Sequence, residues 1–76
     1  MNFKIYGSGC AKCKLLAAHT EAAAQALGLT YEIEKITDVK GIIDAGIMRT
    51  PVLEVDGEIV IEGKVPSADA IAKLLA

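Results

Sequence analysis

The two cysteines of this chain stand three residues apart in Ser8-Gly9-Cys10-Ala11-Lys12-Cys13, where one hydrophobic pattern gives way to another. Before them, residues 2 to 6 with Phe3-Lys4-Ile5-Tyr6 read as a short strand. After them, residues 11 to 27 repeat Ala and Leu at three- and four-residue spacings, the mark of a helix. A strand that turns through Gly7-Ser8-Gly9 directly into a helix commits the chain to a strand-helix unit, and the two glycines are expected to supply backbone angles that other residues avoid. The helix is expected to bury Leu15, Leu16, Ala18, Ala22, Ala23, Ala26 and Leu27 and to stop at Gly28.

The rest of the chain follows in short, well-punctuated pieces. Tyr31, Ile33 and Lys35 alternate with Glu32 and Glu34, which suits a strand at a sheet edge with one wet face. Thr37-Asp38 offers an N-cap for a short helix anchored by Ile42 and Ile43 and ended at Gly46. Thr50-Pro51 then opens a strand, Val52 to Val55; Asp56-Gly57 is a strong hairpin turn, and Glu58 to Ile61 returns antiparallel. Ser67 caps a last helix with Asp69 in its first turn and Ala68, Ile71, Ala72, Leu74 and Leu75 as its buried stripe. The predicted order is strand, helix, strand, helix, strand, strand, helix: a right-handed βαβ unit followed by a hairpin and a helix. This makes an α/β chain with a four-stranded mixed sheet and three flanking helices.

Composition sets the bounds. A chain of 76 residues forms one domain, residues 1–76, and a chain of this size buries only about 60% of the surface it exposes when unfolded. Its core must come from Ala, Ile, Leu and Val, since 53% of residues are apolar but only 4% aromatic. A net charge of −2 with interspersed signs supplies no electrostatic footprint for nucleic acid or anionic membranes. No apolar run approaches a membrane span and no leader pattern precedes the first strand, so the expected location is the cytoplasm.

Two cysteines in that compartment do not make a structural disulfide framework, and a bridge closing so short a loop would contribute only about 2 kcal/mol. If the helix begins near Cys10, the Cα atoms of Cys10 and Cys13 lie ~5 Å apart, within disulfide range. The positive end of the helix favours thiolate over thiol, with Lys12 and Lys14 acting weakly in the same direction. Cys10, closer to the glycine loop and solvent, is then the nucleophile, and Cys13, one turn inside, the resolving thiol. Redox exchange, soft-metal binding and an inert pair all remain open on these residues alone. Thr50-Pro51 is similarly ambiguous: a proline at a strand start is trans at an edge or cis in a tight connection.

Taken together, Gly9-Cys10-Ala11-Lys12-Cys13, Gly46-Ile47-Met48-Arg49-Thr50-Pro51-Val52-Leu53, Val55-Asp56-Gly57 and Gly63-Lys64-Val65-Pro66-Ser67 resemble the thioredoxin/glutaredoxin superfamily. The likeness is closest to its minimal archaeal and bacterial redox-active disulfide members, and it covers essentially the whole chain. The resemblance implies a thioredoxin-like βαβαββα fold and thiol-disulfide oxidoreductase activity without a cofactor. It implies Cys10 as nucleophile, Cys13 as resolver and a cis Thr50–Pro51 bond beside them, with the Thr50 backbone pairing with substrate. Gly9, Ala11 and Lys12 shape the site, and the implied partners are protein disulfide or dithiol clients and a reductase, met by a monomer. Two departures stand out: the familiar Trp-Cys-Gly-Pro-Cys is here Gly-Cys-Ala-Lys-Cys, and Lys4 stands where thioredoxins bury a carboxylate.

Two other readings compete. Small copper- and zinc-binding domains also carry this cysteine spacing near a first strand-helix junction, although their element order ends in a strand and this chain ends in a helix. A non-catalytic domain binding partners along its hairpin edge is the third reading. His19 lies six residues past Cys13, about 240° round the helix, and reads as an ordinary histidine. Met48 and Arg49 border Thr50-Pro51, where they can touch a partner or simply pack. Glu32, Glu34, Glu58 and Glu62 read as solvated strand charges.

Overall fold

Each predicted element is present in the computed structural model, which describes residues 1–7 and 11–76. Ser8, Gly9 and Cys10 lie outside the described residues, and with them the predicted turn at Gly9 and the predicted nucleophile. The elements are β1 (Asn2–Tyr6), α1 (Ala11–Ala26), β2 (Glu32–Ile36), α2 (Val39–Asp44), β3 (Val52–Val55), β4 (Glu58–Glu62) and α3 (Ala68–Leu75). The strands form one mixed sheet in the order β2-β1-β3-β4, with β1 and β2 parallel and the other pairs antiparallel. β2 is therefore an edge, as its alternating charges predict.

The alternation of β1 divides the protein into two layers of packing. Phe3 and Ile5 face α1 and α3, where they join Leu16, Ala17, Ala23, Ala24, Leu53, Ile61 and Ile71 in the main core. Tyr6 points the other way, into a smaller cluster with Ile42, Ile47 and Val52 under α2. The hairpin takes the form its turn residues dictate, with both Asp56 (φ 49°) and Gly57 (φ 89°) in the left-handed region. It is tied to the start of β1 by the Asn2 N–H, which donates to Asp56 Oδ1 at 2.7 Å, and by the Asp56 N–H, which donates to the Asn2 carbonyl at 2.8 Å. Pairing slips between Leu53–Ile61 and Glu54–Ile59, so Val60 is the extra residue of a β-bulge.

Caps hold the two shorter helices. Asp38 Oδ2 accepts from the Gly41 N–H at 3.1 Å at the start of α2, and Ser67 Oγ accepts from the Ala70 N–H at 3.2 Å at the start of α3. α1 ends with Gly28 N–H on the Gln25 carbonyl and Leu29 N–H on the Ala24 carbonyl, the reach-back expected of a left-handed glycine stop.

Several side chains depart from expectation. The buried stripe of α1 is Cys13, Leu16, Ala17, Thr20, Ala23 and Ala24, whereas Leu15, Ala18, Ala22, Ala26 and Leu27 are exposed. Alanines fall on several faces of the helix, so the apolar spacing does not single out one. Thr20 can join the buried one because its hydroxyl donates to the Leu16 carbonyl at 2.7 Å. Ile43 is 66% exposed, since one turn of α2 meets the sheet only through Ile42. Leu74 is also exposed, leaving Ile71 as the fully buried residue of α3. Gly7 does not adopt a positive φ; its lack of a side chain answers a contact described next.

Candidate functional site

Cys13 is the third residue of α1 and only 6% exposed. The stripe that turns Leu16 and Ala17 into the core also turns Cys13 toward the end of β1, where it meets Gly7. A Cβ placed on Gly7 would collide with Cys13 Sγ and stand 3.1 Å from Cys13 Cβ. Gly7 is held there by its N–H, which donates to the Ile36 carbonyl of β2 at 3.0 Å. The glycine is thus required by close approach between a strand end and a thiol.

Thr50 comes from the other side. Its Cβ lies 4.0 Å from the same point beside Gly7, so Cys13 and Thr50 flank Gly7 from two distant parts of the chain. The Thr50–Pro51 peptide bond is cis, Pro51 is buried and Thr50 is exposed. The Gly63 N–H donates to the Pro51 carbonyl at 2.8 Å, linking this segment to the end of the hairpin. Arg49 runs along Gly63, whose added Cβ would stand 3.2 Å from Arg49 Cβ and 3.3 Å from its Cδ.

An apolar-walled cavity of about 170 Å³ opens beside Cys13, lined by Ile5, Gly7, Cys13, Lys14, Lys35 and Thr37. Lys35 and Thr37 are site residues that the sequence reading passes over. A signal for Lys35 exists, because the alternation of β2 puts it on the same side as Tyr31 and Ile33, toward α1, and it pairs with Ile5 of β1. The first turn of α1 holds no acidic residue, so the positive helix end and the exposed Lys12 and Lys14 act on Cys13 unopposed within that turn. Ala11 and Lys12 are exposed at the start of α1, while Gly9 and Cys10 are outside the described residues.

Lys4 does not line this cavity. It projects from the opposite face of β1, bordering a wider depression of about 400 Å³ with Glu32 and Glu34 and another with Glu54 and Asp56. Next to it on that face, the Tyr6 hydroxyl donates to Glu54 Oε1 at 3.2 Å. Burial first, then the negative charge of Glu54, its hydrogen bond, and Glu34 push the Tyr6 phenol above its ordinary 10.0. His19 is half-buried and ties α1 to the loop before α3: its Nδ1–H donates to the Pro66 carbonyl at 2.9 Å, the carbonyl being able only to accept. Met48 is 92% exposed, which rules out the packing role and leaves it projecting at the rim.

Comparison with known proteins adds to this geometry. A family model described as a thioredoxin domain matches residues 1–76. A thioredoxin of Methanothermobacter thermautotrophicus is 42% identical over 76 residues, covering 100% of this chain and 99% of that one. A thioredoxin of Methanocaldococcus jannaschii is 39% identical over 72 residues, covering 95% of this chain and 83% of that one. Among the described residues, no helix is long and apolar enough to cross a membrane.

Proposed function

Because this chain belongs to the thioredoxin-domain family of thiol-disulfide oxidoreductases, we propose that it exchanges a Cys10–Cys13 disulfide with protein clients in the cytoplasm, acting as a monomer. The observation that carries this reading is the junction of Cys13, Gly7 and Thr50: a shielded thiol in the first turn of α1, beside an exposed backbone segment that a client can pair with.

In the reducing direction the Cys10 thiolate attacks one sulfur of a client disulfide. A Cys10–client mixed disulfide forms, the client S–S bond breaks, and the client's other sulfur leaves as a thiolate that takes up a proton. Cys13, having lost its proton, then attacks Cys10 Sγ; the Cys10–Cys13 bond forms and the second client sulfur departs and is protonated. Two electrons pass from the dithiol to the client, and a reductase restores them by reducing the Cys10–Cys13 disulfide. In the opposite direction the same steps run backward. Burial of Cys13 keeps external disulfides from it, and the positive helix end stabilises the thiolates along the way. The Thr50 main chain aligns the client strand across the site, while Ala11 and Lys12 form the exposed lip next to Cys13.

Trapping distinguishes these roles. A Cys13→Ser variant is expected to accumulate a mixed disulfide through Cys10 with a disulfide-bonded client, native insulin or a model peptide disulfide, whereas Cys10→Ser is expected to lose disulfide reduction altogether. Retention of activity in Cys10→Ser, or adducts formed on Cys13 in the native chain, would reverse the assignment. Copper or zinc found at one equivalent in protein purified without added metal would instead favour the metal-binding use of the same pair.

A further inference from the structure

We propose that this site selects clients carrying acidic residues beside the reacting disulfide, with Arg49 and Lys35 as the specificity-determining cations; the inference rests on the redox reading above. The protein as a whole is acidic, with net charge −2, yet the surroundings of Cys13 are not. Lys14 and Lys35 line the Cys13 cavity, and Lys12 is exposed in the same turn of α1. From the other flank comes Arg49, which immediately precedes Thr50.

Arg49 is positioned by packing. Its stem lies along Gly63 so closely that no Cβ fits there without displacement, and Gly63 is itself anchored to the Pro51 carbonyl. Among the described residues, Lys14, Lys35 and Arg49 make no ion pair. Of the carboxylates at this end of the sheet, Asp38 accepts the Gly41 N–H at the start of α2 and Glu62 stands across from Val52 at the end of β4, and neither forms an ion pair with Lys35 or Arg49 among the described residues. Acidic side chains gather on the other sheet face, where Glu32, Glu34, Glu54 and Asp56 surround Lys4.

The result is a charge separation across a small molecule. An acidic client segment is drawn to the Cys13 side and repelled from the far face, which raises encounter rate and orients the approach. The occupant that fits is an extended protein segment with Asp or Glu flanking its disulfide, lying between Arg49 and Lys35 with its main chain at Thr50. Met48, almost fully exposed next to Arg49, offers that segment an apolar contact.

The test uses three matched peptide disulfides with Asp, Ser or Lys flanking the cystine, and reads second-order reduction rates by stopped flow at low and high salt. The native protein is expected to favour the Asp peptide over the Ser peptide by about 10-fold at low salt, with the preference shrinking as salt rises. In the Lys35→Gln/Arg49→Gln variant the Asp-to-Ser ratio is expected to fall toward about 1 whatever the absolute rates, and Arg49→Glu should turn the preference toward the Lys peptide. Equal rates for Asp and Ser peptides in the native protein, a salt-independent ratio, or a ratio preserved in the double variant would each overturn the proposal. Failure to reduce any of the three would remove the redox reading first and this inference with it.

Discussion

At Gly7 a hydrogen atom occupies the place where any other residue would drive a carbon into Cys13 Sγ. Its φ lies outside the left-handed region that glycine alone favours, so Gly7→Ala chiefly probes the steric effect. The substitution is expected to destabilise the protein by about 1–3 kcal/mol and to slow disulfide exchange, because the thiol or the strand end must move. Denaturant melts of Gly7→Ala, Cys13→Ala and the double variant check this. Most of the loss should disappear in the double variant, since the colliding sulfur is gone, and purely additive losses would place the strain elsewhere. The sequence allowed Cys10, Cys13, Thr50 and Pro51 to be named as site candidates, because cysteine spacing and an X-Pro strand start are local signals. It gave a different reason for Gly7, as the close approach exists only once β1 and α1 are packed. Lys35 was visible only as one member of an alternation, and its place beside Cys13 depends on the pairing of β2 with β1.

Among the elements, α2 is the most weakly attached. It is six residues long, contains Gly41, and reaches the sheet through Ile42, with Ile47 following just after its end. Ile42→Ala is therefore expected to release α2 while leaving α1, α3 and the sheet folded. Hydrogen exchange should show the Ile42, Ala45 and Gly46 amides losing protection, with the α1 amides changed little; equal loss in α1 would mean that α2 is integral to the global fold. The contrast with the hairpin explains which elements were legible. Asp56-Gly57 demands one turn geometry and both residues adopt it, and Ser67 and Asp38 cap where expected, because each acts over a few residues. The face of α1 was not legible, as a helix with alanines on several faces leaves the choice to its partners: Cys13 meeting Gly7 at one end and Ile71 of α3 joining Leu16 and Ala23 in the core.

For the whole molecule, stability rests on one face of the sheet. Leu53 is fully buried on a central strand, amid residues from β1, β4, α1 and α3. Leu53→Ala is expected to cost about 2–5 kcal/mol, against roughly 4–11 kcal/mol for a domain of this size. A single cooperative melt lowered by about 8 °C or more in calorimetry would agree, and a melting temperature within experimental error of the native one would refute the reliance on this face. The sheet also has two open edges, β2 and β4, where main-chain groups would otherwise invite another chain to add a strand. Each edge carries a pair of glutamates, Glu32 and Glu34 on one and Glu58 and Glu62 on the other, and β4 is further bent by its extra residue at Val60. Copies meeting edge to edge bring carboxylates against carboxylates whichever flanks they offer. The bulge and the glutamates thus act as a guard against fibre growth, turning the two places where a sheet only four strands wide could be extended into places where extension is disfavoured.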